Sequence, residues 1–466
     1  MGVNFWEFSA WGIYNVLAVL LVSLLVANLL KRALKFLRAS LIPTSVLAGG
    51  MIIIIGGIYK AITGEVMFDT AFFGGNGTAQ LELLTYHTLA LGFIASAFKS
   101  SGGKLNKRRS IDIFNTGVTT VSTYLLQAVV GFAITMIACL VLDNFFPAAG
   151  VLLPFGYGQG SGQALNYGMI YETQFGFDGG KSFGLTIAAL GFLSASVGGV
   201  IHLNILRKKG KLEIKTDEDF ALNTEEIEKE GEIPMQESID KMTIQIALIA
   251  LAYMLAYGLM SLLGNLLPNM KSVIFGFNFI LGVLSATLVK ALMNLLKKKK
   301  ILKKEYTNDF LMTRASNLFF DIMVVAGIAA IRLDILERYW GIILVLGVVG
   351  LVITYAYNLL VARTLFKSYP EAQFLAMFGM LTGTASTGII LLREIDVDFK
   401  TPVADNLVYQ NFPAIVLGFP LMFLATMAPD KPVMTLIILF AFFAVLNVVL
   451  FRKFIFHRFI FKKRRK

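Results

Sequence analysis

The sequence is short of what a soluble or metal-dependent protein needs. One cysteine, Cys139, stands among 466 residues, which excludes an internal disulfide and every cysteine-based zinc or iron–sulfur site. The three histidines, His87, His202 and His457, lie far apart and suggest no metal cluster. Charge is scarce as well: charged residues make up 15% and hydrophobic residues 56%, where a soluble domain carries roughly 25% charge. No His-Glu-x-x-His or Walker loop occurs, so neither an enzyme nor a nucleotide-driven pump is expected, and no bound cofactor.

What the chain has instead is long apolar runs. A helix crossing the hydrocarbon needs about 20 apolar residues. On that criterion eleven spans are predicted, near 11–30, 41–59, 81–98, 112–142, 182–206, 243–267, 272–296, 310–331, 340–362, 404–428 and 433–451. The fold class is therefore an all-α polytopic membrane protein. The first span has no basic stretch before it and no small-residue cleavage site after it, so it is expected to remain.

The net charge of +12 would suggest nucleic acid in a soluble chain. Here the bases sit in clusters between spans, where they set orientation, and no nucleic-acid partner is expected. Residues 1–30 hold no Lys or Arg, while Lys31, Arg32, Lys35 and Arg38 follow at once, which puts the N-terminus outside. With that start and eleven crossings, 35 of the 42 basic residues fall on the cytoplasmic side and only six outside. The expected location is the cell membrane, multi-pass, with the C-terminus cytoplasmic. Residues 207–241, basic and then acidic, read as a mobile cytoplasmic linker.

Two segments do not read as spans. Residues 147–180 carry Pro154 and then Gly156-Tyr157-Gly158-Gln159-Gly160-Ser161-Gly162-Gln163, too rich in helix-weakening residues for a continuous transmembrane helix. Residues 370–400 contain Gly379-Met380-Leu381-Thr382-Gly383-Thr384-Ala385-Ser386-Thr387-Gly388. The flanks of the first lie outside and those of the second inside, so each is expected to dip into the membrane from its own face and return. They occupy the same place in two five-span halves of opposite orientation, which is the inverted-repeat plan of secondary transporters. The expected organisation is a first repeat over 1–206, the linker 207–241, a second repeat over 242–428, and an additional helix with a basic tail over 429–466.

Irregular backbone at membrane depth is tolerated where it lines a cavity or is buried in protein. Hairpin tips meeting near the midplane would offer N–H groups and hydroxyls to a carboxylate, and carbonyl oxygens to a cation. The candidate substrate-binding residues are Gln159, Gly160, Ser161, Gly162, Gln163, Thr382, Gly383, Thr384, Ser386, Thr387 and Asn411. The candidate sodium ligands are Asp321, Asn411 and Gly383. Asp321 is mid-span, where a carboxylate is costly unless paired or ion-bound, and pairing with Arg314 is the alternative. Asn411 precedes Pro413, which removes a backbone donor; a simple kink is the alternative. His87 on the third span reads as a structural histidine or a substrate contact, and Arg393 as a snorkelling anchor or a carboxylate ligand.

The pattern over roughly residues 10–428 resembles the glutamate:sodium symporter family. Ile42-Pro43-Thr44-Ser45-Val46-Leu47-Ala48-Gly49-Gly50 looks like the family's Pro, Val and Gly-Gly run at the second span. Gly158 to Gly162 looks like its Gly-rich first hairpin, and Ala188 to Gly199 is similar to the small-residue span after it. Where the family usually has Ser-Gly-Gly-His-Gly-Thr, this chain has Gly-Gln-Gly-Ser-Gly-Gln. The resemblance implies a Na⁺-coupled carrier of glutamate or a similar dicarboxylate. It also implies a homodimer whose hairpin-bearing parts move against a fixed scaffold. A carrier of another organic anion, or an ion channel using the hairpins as a filter, is the alternative.

Overall fold

The structure, a computed structural model, describes residues 6–99, 107–142, 145–210, 232, 234, 239–268, 271–276, 278–396 and 401–452. Most of the 207–241 linker, the end of the second hairpin segment at 397–400 and the basic tail at 453–466 lie outside the described residues. The helices are α1 (Phe8–Ala33), α2 (Lys35–Ala39), α3 (Thr44–Thr63), α4 (Gly77–Phe98), α5 (Lys107–Ala138), α6 (Leu152–Tyr157), α7 (Ser161–Phe175), α8 (Gly180–Lys208) and α9 (Lys241–Leu266). They continue with α10 (Lys271–Gly276), α11 (Asn278–Lys298), α12 (Asp309–Ala329), α13 (Leu333–Leu365), α14 (Pro370–Thr382), α15 (Ala385–Arg393), α16 (Val403–Tyr409), α17 (Asn411–Met427) and α18 (Pro432–Leu450). The protein is an all-α polytopic membrane protein: among the described residues there is no strand beyond one isolated bridge, and ten helices are long and apolar enough to cross a membrane.

Ten of the eleven predicted spans coincide with these ten helices. The tenth does not: residues 404–428, read as one helix, form α16 and α17 with Gln410 between them. The cause is Pro413, in the first turn of α17, where its missing N–H is tolerated but its ring crowds the carbonyl of Tyr409 four residues back. On α5, Gly117 makes room for that ring, since a Cβ there would come within 2.6 Å of Pro413 Cγ.

The chain divides into two compact units, each drawing on both sequence halves. The first comprises Met1–Asn28, Leu47–Gly102 and Glu213–Ala330. Its core is built by Ile94, Ala95 and Phe98 of α4, Ile249 and Ala252 of α9, Ala286 and Val289 of α11, and Met312 and Ala315 of α12. Small residues let these helices approach: the Phe320 ring of α12 lies over Gly92 of α4. Ser316 gives its proton to the Gly92 carbonyl at 3.0 Å, so Ser96 is the donor in the 2.8 Å contact between the two serines. On α4, His87 Nδ1 lies 2.7 Å from Tyr253 Oη of α9. The end of the linker is pinned here. Glu232 pairs with the fully buried Lys241 at 2.9 Å and accepts from Asn308 Nδ2 at 2.7 Å, while Asp240 caps α9 and Asn308 caps α12.

The second unit comprises Leu29–Val46, Gly103–Leu212 and Ile331–Lys466. It holds α5, α8 and α13, both hairpin segments, and α16 to α18. Each hairpin begins at a proline, Pro147 opening a 3-10 turn and Pro370 opening α14, where a missing N–H costs nothing. The centre is α8. Its apolar window is 67% buried, against 22% for α1, α3 and α9, because it packs on both hairpins. Gly184 lies against the Ala164 carbonyl, Gly191 against Tyr157 and the Thr382 carbonyl, Gly198 under the Phe378 ring and Gly199 against Leu391. Gly191, Gly198 and Gly199 belong to the small-residue run that the sequence showed between Ala188 and Gly199.

Candidate functional site

The first hairpin breaks where glycines accumulate. α6 ends at Tyr157, Gly158 follows, and Gly160 takes φ +83° and ψ −179°, a conformation that only glycine adopts cheaply. Tyr124 of α5 fixes this bend by donating to the Gly158 carbonyl at 3.0 Å. α7 then starts at Ser161 with no side chain capping its first N–H groups. In the second hairpin α14 ends at Thr382, Gly383 turns the chain, and Thr384 caps α15 by accepting from Thr387 N at 3.4 Å.

The two tips meet. A Cβ placed on Gly160 would lie 3.6 Å from Thr384 Cγ2 and 3.7 Å from the Gly383 carbonyl oxygen. Two helix N-termini, of α7 and α15, and two C-termini, of α6 and α14, therefore come to one place in the second unit. The N-terminal ends carry partial positive charge and unpaired donors, and the C-terminal ends the reverse.

The side chains at the first tip agree with that polarity. Ser161 and Gln163 are each 1% exposed, yet Ser161 Oγ and Gln163 Nε2 have no hydrogen-bond partner. Gln163 Oε1 faces Asn166 Nδ2 at 3.5 Å, so its nitrogen is the spare group. The Gln163 nitrogen is a donor and the Ser161 hydroxyl can act as one, so a carboxylate would satisfy them and the α7 N–H groups together. Gly162 lies between them, buried in the first turn of α7, and Gln159 is half-buried at the bend. Thr387 is buried, while Thr382 spends its hydroxyl on the Phe378 carbonyl at 2.6 Å. Ser386 lies in α15, and its side chain is outside what the structure describes.

Asn411 starts α17, is exposed, and receives Gln410 Nε2 on its Oδ1 at 3.0 Å. Asp321 is on α12 in the first unit and exposed, so it does not join the hairpin residues in their compact unit. Arg314 stacks over Phe310 of its own helix, 4.9 Å from the ring centroid. Arg393 is exposed at the end of α15.

Sequence reasoning passed over Gln127, Asn358, Gln373, Asn406 and Gln410, amides that are all at least 99% buried in the second unit. A signal was present: amides inside long apolar runs are as costly as other intramembrane polar groups and invite the same question. No protein-family model matches the chain, and no curated protein matches it.

Proposed function

We propose that the chain is a sodium-coupled secondary transporter, a symporter that imports glutamate or a similar dicarboxylate by alternating access in an elevator-like manner. The observation that carries this reading is the meeting of the hairpin tips at Gly160, Gly383 and Thr384, with the buried, unpartnered donors of Ser161 and Gln163 at the N-terminus of α7. Such a site suits a carboxylate, because it combines preorganised N–H groups with hydroxyl and amide donors and sets no fixed base against the anion's release. Coupling to a cation fits the same junction, since the C-terminal ends of α6 and α14 present the opposite polarity beside it. Asn411 and Gly383 are the candidates to contact sodium in the second unit, and Asp321 is the separate candidate on α12 in the first unit.

The division of the chain supports elevator-like movement. Both hairpins belong to one compact unit, with α5, α8 and α13, while α4, α9, α11 and α12 belong to the other, together with α10 and most of α1 and α3. A carrier whose site moves as a body needs such a division. The reading includes a homodimer in the cell membrane, with the N-terminus outside and the C-terminus cytoplasmic.

Uptake of labelled glutamate into proteoliposomes tests the proposal. An inward Na⁺ gradient should drive accumulation above the level reached with Na⁺ equal on both sides. Equal uptake under both conditions, or current far above one charge per substrate, would sink it, the latter in favour of a channel.

A further inference from the structure

One face of α5 carries Thr116, Thr120, Thr123 and Gln127, at helical spacing, and each meets a polar side chain from another element of the second unit. Gln373 Nε2 donates to Thr116 Oγ1 at 3.2 Å, and Thr120 donates to Gln410 Oε1 at 2.8 Å. Asn358 Nδ2 lies 3.4 Å from Thr123 Oγ1 and donates to the Thr354 carbonyl at 2.9 Å. Gln127 Nε2 donates to Thr354 Oγ1 at 2.9 Å and to the Leu381 carbonyl at 3.0 Å.

These contacts fix which end of each amide is nitrogen. The Leu381 and Thr354 carbonyls only accept, so Gln127 and Asn358 must turn their nitrogens to them. The Thr116 proton already goes to the Asp112 carbonyl at 2.7 Å, so Gln373 is the donor to Thr116. Gln127 and Asn358 have thus spent both hydrogens of their nitrogens, and Gln373 has turned its nitrogen to Thr116. Their oxygens, Gln127 Oε1, Asn358 Oδ1 and Gln373 Oε1, have no partner, although the residues are 0%, 1% and 1% exposed.

Three buried orphans of one polarity call for a positive occupant. An anion would face only acceptors. A divalent ion of the calcium or magnesium kind takes carboxylates, and among the described residues no three His, Cys, Asp or Glu side chains gather to hold a metal. Neutral amide, hydroxyl and carbonyl oxygens suit a monovalent cation that has shed its water. The C-terminal end of α14, at Leu381 and Thr382, adds partial negative charge beside Gln127.

We propose that Gln127 and Asn358 hold a dehydrated monovalent cation of sodium size through their amide oxygens, on either side of Thr354. Gln127 engages the hydroxyl of Thr354 and Asn358 its carbonyl, so this threonine sets the spacing of the two ligands. Gln373, on α14, meets Thr116, which lies eleven residues before Gln127 along α5, about 16 Å at 1.5 Å per residue, so it belongs to a separate station. The inference deepens the transport reading and depends on it for the cation's purpose, while the binding itself is testable without any substrate.

The test is thermal unfolding of the purified full-length protein in nanodiscs, without glutamate, in NaCl, KCl or choline chloride at equal ionic strength. NaCl should raise the midpoint with a saturable dependence that choline lacks. Gln127→Met and Asn358→Leu, which keep volume and remove the oxygen, should raise the half-saturating Na⁺ concentration by about tenfold or more. Midpoints in choline and a monodisperse gel-filtration peak show whether the variants fold. Folded variants with the wild-type Na⁺ response would overturn the site and leave water as the partner of these oxygens. If neither folds, Asn358→Asp decides: a lower half-saturating Na⁺ concentration supports the site, and an unchanged or lost response overturns it. A Na⁺ response without glutamate uptake defeats the transport reading alone. Na⁺-driven uptake whose sodium dependence ignores all three substitutions defeats this inference alone.

Discussion

Gly150, in the first arm of the first hairpin, lies backbone to backbone against Gly131 of α5, with its N–H donating to Thr135 Oγ1 at 3.1 Å. A side chain on either glycine would meet the other's carbonyl group, so the arm is seated by the absence of two β-carbons. Gly150→Ala should therefore destabilise the protein by about 2 kcal/mol or more, as overpacking against rigid backbone does. Thermal unfolding in detergent measures this, with Gly258→Ala, where nothing lies within 4 Å of the added carbon, as the control. Equal midpoints for the two variants would show that the arm shifts freely.

Substrate affinity should depend on the hairpin tips. A hydrogen bond to a charged group contributes roughly 1.5 to 3 kcal/mol. Ser161→Ala and Thr384→Ala are each expected to raise the half-saturating glutamate concentration by about tenfold to a hundredfold. Lys271→Ala, on α10, should leave it unchanged. Retention of wild-type affinity in both tip variants, with loss in Arg393→Ala, would move the carboxylate site to the arginine.

The inverted repeat makes an accessibility prediction. In a Cys139→Ser background, Gln159→Cys is expected to react with impermeant thiol reagents from outside, and Ala385→Cys from the cytoplasmic side. Gln159 is half-buried and Ala385 exposed at their tips. Labelling of both from a single face contradicts opposite hairpin orientation.

Outside the spans, Glu305 accepts from Lys297 Nζ at 2.7 Å and Thr307 Oγ1 at 2.9 Å. Burial alone would raise its carboxyl, but these hydrogen bonds and the Lys297 and Lys290 charges outweigh it and hold it below its ordinary 4.5. A carboxyl so lowered contributes stability that is complete above the unfolded value and is lost as pH falls through the folded value. The midpoint difference between wild type and Glu305→Gln should thus be constant at neutral pH and shrink as pH falls below 4.5. A difference unchanged down to about pH 3 would mean that the carboxylate's charge is not what the lysines hold.

The spans were legible because length and apolar composition decide them, and the helix breaks near Gly160 and Gly383 because clustered glycines weaken a helix. The break at Gln410 was half-legible. Pro413 signalled a freed backbone, but proline in a first turn and proline in a helix interior look alike in one dimension. The grouping of Gln127 with Asn358 was not legible, since residues 231 positions apart meet only after α5 and α13 pack. Asp321 drew attention as a mid-span carboxylate, a property independent of which compact unit its helix joins.

The glycine face of α8 has a consequence in helical phase. Gly184 and Gly191 serve the first hairpin, and Gly191, Gly198 and Gly199 the second, so both are indexed to one helix. Inserting a single residue at Ala195 would turn everything after it by about 100°. Gly184 and Gly191 would stay in place, while Gly198 and Gly199 would leave Phe378 and Leu391. The first tip would then be held as before and the second released, which makes α8 the ruler that keeps the two tips in register.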